Sequence, residues 1–467
     1  MVSEQLRADS LACYGHPLVK TPNFDKVASE GVLFENCYSQ NPVCTPSRCC
    51  MMTGHYPHVS GHRTLWHLLR PHEKSLFGYL KNNGHHIQWH GKNDLYSKDS
   101  FKDNVDFRNA RPGKTHGPNS FKFGEPGYYS FLHEPFPGKA EETNDGQDIL
   151  DAVEFLKNRK TCDKPFTLYL PMSFTHPEYA APRPFHDMYN PLGVPALRPP
   201  DIGGKPSFYS LIRKYRELSR FDEDFFRKIN SVYLGMVSCA DYLLGLILDT
   251  LDSEGLSGDT AVILTADHGD WAGDYGLVEK WPNCFDDTHV RVPLIIKMPG
   301  GKKGLRIKEP VESFDISATI LDAENIEPGH TSFARSQLPS IIEGKPADPD
   351  RAVFAEGGYN LNEPHCFEGV GAFFEDKEEL YYPKGIQQQE HPESVTRTVM
   401  IRRGKYKLIR RPAEISELYD LETDPQELKN LYEDPAFNEI RSELTQELTD
   451  WYIRTSDAVP FDKDERN

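Results

Sequence analysis

Short apolar runs bounded by turn residues recur along the chain and alternate with stretches of helical periodicity. The clearest runs are Phe166 to Phe174, Thr260 to Thr265 and Val292 to Met298. Runs of this length are typical of strands buried on both faces of a sheet. Between them, the apolar positions from Tyr233 to Leu251 follow helical spacing and predict one long amphipathic helix. The pattern predicts an α/β fold with a mainly parallel central sheet and helices on both of its faces.

Two shorter helices are predicted at Asn23 to Gly31 and at Ser75 to Gly84, and each ends on a glycine that can act as a C-cap. The Pro- and Gly-rich segment Asp187 to Gly204 predicts a long surface loop. Farther along, Thr398 to Arg410 predicts a hairpin with Arg-Gly at its turn, and Pro435 to Thr455 predicts a terminal helix.

A change in composition near residues 325–350 predicts a domain boundary. Pro, Gly and acidic residues cluster there, in the strings EPGH and EGKPADPD. We therefore expect a larger α/β domain at 1–345 and a smaller α+β subdomain at 346–467 that completes the rim of the site.

Charge and cysteine usage narrow the class of protein. The chain has 467 residues, of which 53 are basic and 71 acidic, for a net charge of -18. That charge disfavours nucleic acid and anionic membranes as partners, and no apolar run approaches the ~20 residues of a membrane span. Nine cysteines without paired CxxC spacing predict free thiols. With no signal peptide recognisable at Met1, we expect a cytoplasmic protein.

The most specific motif is Cys-Thr-Pro-Ser-Arg at 44–48, followed by Thr-Gly at 53–54. Cys44 alone would be expected to be a buried structural thiol. The extended string resembles the sulfatase family of the alkaline-phosphatase-like superfamily. The resemblance implies that Cys44 is oxidised to formylglycine, whose hydrated aldehyde is the nucleophile. It also implies that Arg48 holds the oxygen of that nucleophile.

A second motif, Thr-Ala-Asp-His-Gly at 265–269, follows a very apolar strand. Ligands bind at this end of strands in open α/β sheets, and an Asp with a His suits a divalent cation, although a simple polar turn is the alternative. The run continues the resemblance to sulfatases through Lys280 and Arg-Val-Pro-Leu-Ile at 291–295. The resemblance implies that Asp267 and His268 are metal ligands and that Lys280 binds sulfate.

The N-terminus supplies the other half of the implied metal site. Sulfatases open with a strand that ends in Asp-Asp or Asp-Gln, and this chain has Glu4 and Gln5 there, preceded by only three residues. The resemblance implies that both are metal ligands, with Ca²⁺ as the expected ion and Mg²⁺ or Mn²⁺ as alternatives. The extra methylene of Glu4 departs from the family pattern. The pairing with Asp267 and His268 is similar to choline-sulfatases and phosphonate monoester hydrolases.

Two further segments resemble the sulfate-binding parts of sulfatases. Where many members have Gly-Lys-x-His, this chain has Lys92 followed by Asp94, with His90 close by. The resemblance makes Lys92 and His176 catalytic candidates, the latter in Ser-Phe-Thr-His-Pro at 173–177. Asp94, His90 and His289 are substrate-binding candidates, each of which could instead be an ordinary polar residue. The C-terminal run at 417–431 also resembles the family and extends the likeness over nearly the whole chain.

These residues predict a metal-dependent sulfuric ester hydrolase that cleaves a sulfate monoester through formylglycine made from Cys44 by a sulfatase-maturing enzyme. A small or carbohydrate sulfate ester is the expected substrate. Two alternatives remain. One is a phosphonate monoester or phosphodiester hydrolase of the same fold. The other is a non-catalytic relative that binds a sulfated ligand, suggested by Glu4, Asp94 and the short first strand.

Overall fold

The computed structural model describes residues 1–109, 115–159, 164–368 and 375–461. The strands of this part are β1 (Val2–Ser3), β2 (Val32–Tyr38), β3 (His86–His90), β4 (Phe107–Asn109), β5 (Phe166–Tyr169), β6 (Pro171–Met172), β7 (Val262–Ala266), β8 (Arg291–Lys297), β9 (Leu305–Ile307), β10 (Val311–Glu312), β11 (Val353–Gly357), β12 (Thr398–Arg403), β13 (Tyr406–Arg410) and β14 (Glu417–Asp420). The helices are α1 (Pro22–Glu30), α2 (Cys44–Thr53), α3 (Pro57–Ser60), α4 (Leu76–Asn82), α5 (Lys98–Asn104), α6 (Asn144–Lys157), α7 (Phe208–Tyr215), α8 (Glu223–Ser253), α9 (Asp287–Val290), α10 (Asp315–Ala323), α11 (Leu338–Glu343), α12 (Tyr382–Glu390) and α13 (Asn438–Thr455).

The central sheet has seven strands and confirms the predicted fold class. Its order is β10-β2-β8-β7-β1-β6, and β9 also pairs with β2. β1 is parallel to β6 and β7, and β2 is parallel to β9 and β10. Only β8, within the described residues, runs antiparallel to its neighbours β2 and β7 in this sheet. The sheet is therefore mainly parallel.

The apolar run 166–174, predicted as one strand, is divided between two sheets. β5 pairs with β3 in a three-stranded parallel sheet of order β4-β3-β5, whereas β6 pairs with β1 in the central sheet. This one segment therefore links the two sheets and keeps their strands in a common direction. The carboxyl ends of β1, β3, β6 and β7 consequently lie along the same edge, where a ligand site is expected.

The longest helix, α8, begins ten residues before its predicted start at 233. The Asp222 side chain caps it by accepting a hydrogen bond from the Phe225 amide. By length and composition α8 could cross a membrane, but 89% of its most apolar window is buried inside the protein. Burial of that kind is typical of the core helix of a folded domain.

Asp241 on α8 ties that helix to the start of α1. Its Oδ1 accepts hydrogen bonds from the Asn23 and Phe24 amides at 2.9 and 2.8 Å. Burial raises the pKa of Asp241 from 3.8 to about 7. Because the folded protein keeps this proton to a higher pH than the unfolded chain, rising pH between those values lowers the free energy of unfolding.

Replacing Asp241 by asparagine is therefore expected to reduce this loss of stability. The free energy of unfolding of the variant, relative to that of wild type, should rise as the pH increases from about 4 to about 8. Urea unfolding at several pH values measures the effect. The exposed Asp249 on the same helix provides the control Asp249→Asn, which should leave the profile unchanged. A parallel offset of the Asp241→Asn profile at every pH would contradict the assignment.

The two predicted glycine caps have different outcomes. Ser75 caps α4 by accepting from the Gly78 amide, and Gly84 follows that helix with a φ of 93°. Gly31 ends α1 in an extended conformation rather than a left-handed one. A Cβ at Gly31 would lie 2.4 Å from the Ile296 carbonyl oxygen, so the glycine permits the close approach of α1 to β8.

The C-terminal region is the predicted small α+β unit. β11, β12, β13 and β14 form an antiparallel sheet, and α13 begins at Asn438, three residues after the predicted Pro435. The hairpin turn between β12 and β13 is Gly404-Lys405, one residue later than predicted. This sheet shares a buried cluster with the central sheet, formed by Tyr38, Phe285, Val290, Val353, Ala355, Met400, Ile409 and Tyr419. The boundary at 345 remains a prediction.

Two other predictions concern loops and thiols. The segment 187–204 contains only short 3₁₀ turns, as expected of a loop, but Arg198 within it is buried and pairs with Asp274 at 2.8 Å. The loop therefore packs into the protein. The eight cysteines in the described ranges are free.

Candidate active site

Cys44 lies at the start of α2, directly after the extended residue Val43. All ten residues of this helix are buried, and Cys44 is 1% exposed. Its Sγ donates to Glu4 Oε1 at 2.9 Å and lies 3.3 Å from His268 Nε2. Burial and the nearby Glu4 carboxylate raise the pKa of the Cys44 thiol well above its ordinary value. The unmodified side chain is therefore a protonated thiol and a weak nucleophile.

Glu4 follows β1 and is fully buried. Lys92, two residues beyond β3, donates to both of its oxygens at 2.7 and 2.9 Å. Burial alone would raise the pKa of Glu4, but the positive charges of Lys92 and Arg48 hold it well below its ordinary value. Glu4 is consequently a carboxylate at neutral pH.

Asp267 follows β7 and holds Arg48 in place. Arg48 donates through Nε to Asp267 Oδ2 at 2.9 Å, and its Nη2 lies 2.9 Å from the same oxygen. The other oxygen accepts the backbone amides of Gln5 and His268 at 3.1 and 2.8 Å. Burial opposes ionisation, yet the Arg48 charge keeps the pKa of Asp267 below its ordinary value. One carboxylate therefore joins the segments after β1 and β7 to α2.

Three of the four predicted metal ligands converge on Cys44. Ligand atoms of Cys44, Asp267 and His268 all lie within 4.8 Å of one another, as do those of Glu4, Cys44 and Asp94. Two carboxylates and an imidazole are a donor set that suits a divalent cation. The fourth, Gln5, remains a predicted ligand. Its side-chain amide lies beside Lys280 and His176, and with its oxygen turned toward them it accepts from Lys280 Nζ at 2.9 Å.

His176 and Lys280 form the opposite wall of the site. Lys280 Nζ lies 3.2 Å from His176 Nε2, and His176 Nδ1 hydrogen-bonds the Pro177 carbonyl oxygen. Burial and the Lys280 charge lower the pKa of His176 to about 4, so its ring is neutral at neutral pH. His176 Nε2 also lies 3.8 Å from Glu4 Oε1.

The predicted nucleophile, carboxylates and cations thus meet at one edge of the sheet. A family model described as Sulfatase matches residues 1–326, which is more than half of the chain. The chain belongs to the sulfatase family. A second model, described as N-sulphoglucosamine sulphohydrolase, C-terminal, matches residues 371–454 of this sulfatase-family chain.

Known sulfatases are similar to this one over most of its length. Choline-sulfatase of Rhizobium meliloti is 28% identical, over 94% of this chain and 84% of that protein. N-acetylglucosamine-6-O-sulfatase of Bacteroides thetaiotaomicron is 24% identical, over 99% of this chain and 87% of that protein. The crystal structure of phosphonate monoester hydrolase of Agrobacterium radiobacter superposes with a TM-score of 0.80 at 21% identity, covering 97% of this chain and 95% of that one. The last comparison establishes the shared fold.

The three substrate-binding candidates of this sulfatase have different surroundings. Asp94 Oδ2 lies 2.9 Å from Lys92 Nζ, within the site. His90 is buried in β3, where its Nε2 hydrogen-bonds Gln88 and its ring contacts Phe107. His289 is fully buried, with its ring against Trp271 and its carbonyl accepting the Gly269 amide at 2.7 Å. The His289 backbone therefore helps to hold the turn after His268 in place.

Two buried acids were not predicted from the sequence. Asp145, in the first turn of α6, accepts the Ser173 and Phe174 amides at 2.9 and 2.6 Å and so holds the turn that carries His176. Asp270 accepts the Tyr179 hydroxyl at 2.6 Å, and burial raises its pKa to about 7. Asp270 directly follows the 265–269 motif, which was a usable signal, whereas nothing near Asp145 in the sequence indicates its role.

Proposed function

We propose that this sulfatase-family protein is a sulfuric ester hydrolase that cleaves a sulfate monoester, with formylglycine made from Cys44 as its nucleophile. The single observation that carries the proposal is the placement of Cys44 among the carboxylates of Glu4 and Asp267 and the positively charged Lys92. A helix start, two strand ends and a loop after a third strand converge there, as expected for a site on the carboxyl edge of an α/β sheet.

The state of Cys44 supports its conversion. A protonated thiol held against Glu4 attacks poorly, because the thiolate is the reactive form. Formylglycine, once hydrated, supplies one hydroxyl that attacks sulfur and displaces the alcohol. Loss of the proton of the second hydroxyl then re-forms the aldehyde, breaks the bond from its carbon to the sulfate oxygen and releases sulfate. The proposal therefore includes a sulfatase-maturing enzyme that oxidises Cys44.

Glu4, Asp267 and His268 would hold the metal ion, for which Ca²⁺ is proposed and Mg²⁺ or Mn²⁺ are alternatives. Both carboxylates are ionised and buried beside Cys44, and their oxygens suit a hard cation. When bound, such an ion polarises a sulfate oxygen and stabilises the charge that develops there. Gln5 contributes its backbone amide to Asp267 and thereby orients that ligand.

The charges of the site also favour a bound cation. Lys92 is paired with Glu4 and Asp94, and Lys280 lies 3.1 Å from Glu279. As the residues stand, acids balance the positive side chains, so the protein alone does not present a net positive charge to a sulfate anion. A cation that occupied Glu4 would free Lys92 to meet a sulfate oxygen.

The remaining groups bind the ester and manage its protons. Lys92 and Lys280 would donate to sulfate oxygens from opposite sides. The neutral His176 ring accepts from Lys280, so this pair can hold a proton beside the departing oxygen. Arg48, fixed by Asp267, would orient the oxygen of the nucleophile.

Phosphonate monoester or phosphodiester hydrolysis is the second candidate, favoured by the likeness of the fold to phosphonate monoester hydrolase. The protein produced together with a sulfatase-maturing enzyme tests both. The mass of the peptide that contains residue 44 reports the aldehyde, and rates on an aryl sulfate and an aryl phosphodiester are compared. A higher kcat/KM for the sulfate supports the proposal, and the reverse order supports the second candidate. If residue 44 stays an unmodified thiol and neither ester is hydrolysed, the result supports a non-catalytic protein that binds a sulfated ligand.

Chelation gives a separate prediction for the metal. Removal of divalent ions with EDTA is expected to abolish hydrolysis and lower the Tm, and Ca²⁺ should restore both. At a hundredfold excess over its Kd, an ion that binds only the folded state adds about 2.7 kcal/mol of stability. Thermal unfolding with and without each ion measures the effect. A Tm insensitive to EDTA and to every added ion would count against a metal at Glu4 and Asp267.

A further inference from the structure

The loop 62–69, between α3 and α4, is attached to both motif segments of the site. At one position, Thr45 Oγ1 donates to the Leu65 carbonyl at 3.4 Å, next to Cys44. At its other end, the Leu69 amide donates to the Leu95 carbonyl at 2.8 Å, one residue beyond Asp94. Because ligand atoms of Cys44 and Asp94 lie within 4.8 Å of each other, the loop spans the site at the nucleophile.

The middle of this loop presents an exposed indole. Trp66 is 54% exposed, whereas the other four tryptophans of the chain, Trp89, Trp271, Trp281 and Trp451, are at most 5% exposed. The loop beneath it is ordered by its own hydrogen bonds. Thr64 Oγ1 accepts the Trp66 amide at 3.1 Å and bonds His67 Nδ1 at 2.7 Å, and His62 Nδ1 bonds the His67 carbonyl at 2.7 Å. An exposed aromatic ring on a fixed loop is a surface on which a flat or ring-shaped ligand can stack.

Positively charged side chains at and beside this loop favour some ring-shaped ligands over others. Arg70 is 45% exposed and lies 3.9 Å from Glu73, whose Oε1 already bonds His62 at 2.8 Å. The positive charges of Arg70 and its neighbours join burial in lowering the pKa of His67. Cations at this rim oppose a quaternary ammonium ligand, which an indole would otherwise attract, and favour a ligand with a negative group.

We propose that the loop 62–69 and the adjoining Arg70 form the subsite for the alcohol part of the ester, where Trp66 stacks on a sugar ring and Arg70 meets a second anionic group. The substrate class is then an acidic saccharide that carries a sulfate or carboxylate besides the sulfate that is cleaved. This inference rests on the proposed function. Trp66 determines specificity in it and takes no part in bond cleavage.

Competition against hydrolysis of 4-nitrophenyl sulfate tests the subsite, with a disulfated glucosamine as the competing ligand. For Trp66→Ala the inhibition constant is expected to rise about tenfold, and Trp66→Phe should restore most of the affinity because it keeps a ring. Because the flat ring of 4-nitrophenyl sulfate would use the same subsite, its KM is measured for every variant and each inhibition constant is corrected for it. Ile453→Ala, at another exposed apolar residue, is the control and should leave both values unchanged.

Calorimetric titration of the Cys44→Ala protein with the disulfated glucosamine measures binding at the same subsite without turnover, so a failure of the proposed hydrolysis is distinguished from a failure of this inference. For Arg70→Gln, affinity for the disulfated sugar is expected to fall about threefold more than affinity for its monosulfated counterpart. Unchanged binding in Trp66→Ala, no binding to wild type, or tighter binding of choline than of the disulfated sugar would each overturn the proposal.

Discussion

Replacing Cys44 by alanine is expected to reduce kcat/KM for sulfate ester hydrolysis at least about ten-thousandfold, because the proposed nucleophile is made from this side chain and no neighbouring group can replace it. The fold should be retained. Cys44 contributes one thiol hydrogen bond to Glu4, and the alanine still fits the start of α2. The measurement is the rate of the variant produced beside a maturing enzyme, together with its Tm.

Cys50 provides the matched control, since it is equally buried in the same helix but packs in a different cluster with Tyr56 and Phe314. Cys50→Ala removes the same thiol volume and should keep its activity within a fewfold of wild type. Substantial activity in Cys44→Ala would refute the nucleophile. Equal loss in both variants would instead indicate that the helix tolerates no cysteine replacement.

Replacing Asp267 by asparagine is expected to abolish hydrolysis and to lower the free energy of unfolding by about 3 kcal/mol. The buried Arg48 guanidinium then keeps only the more distant Glu4 carboxylate, at 4.0 Å, as a counter-charge. The asparagine oxygen can still accept the Gln5 and His268 amides, so the backbone contacts survive. What disappears is the negative charge that faces Arg48 and the proposed metal. Urea unfolding of wild type and variant gives the energy.

The double variant Asp267→Asn, Arg48→Met separates the two effects. Removing the guanidinium as well should restore part of the lost stability, because an apolar side chain of similar length needs no counter-charge. The difference between the double variant and the two single variants is the coupling energy of the pair. If the two losses simply add, the contact between Asp267 and Arg48 contributes nothing to stability.

Much of the fold followed from hydrophobic pattern, because buried parallel strands are continuous apolar runs. The strands β7 and β8 and the helix α8 lie where their periodicity indicates. The failures have local causes. Pattern alone cannot show that the run 166–174 changes sheets at Leu170, since both halves are equally apolar. Gly31 is the C-cap of α1 as predicted, but its extended conformation was not predictable because the sequence does not reveal the backbone of β8 beside it.

At the site, motif residues were predictable and their supporting contacts were not. Cys44, Lys92 and Asp267 follow strand ends or a helix start and were found from short strings. Gln5 as a metal ligand remains a prediction, and the proximity of its side chain to Lys280, far away along the chain, could not be read from the sequence. Asp145 escaped notice for the same reason, because its partners at 173–174 are defined only by tertiary contact.

If formylglycine is made from Cys44 as proposed, the complete burial of α2 requires that oxidation to take place before the chain folds. Once this helix is buried, a modifying enzyme that binds the chain around residue 44 has no accessible segment to bind. Oxidation and folding are then competing first-order processes, and the ratio of their rates decides how many molecules ever become competent. Under the proposal, chains that fold first keep the Cys44 thiol and lack the nucleophile, although their packing is the same. Specific activity would accordingly record the conditions of synthesis, while every measure of folding stayed the same.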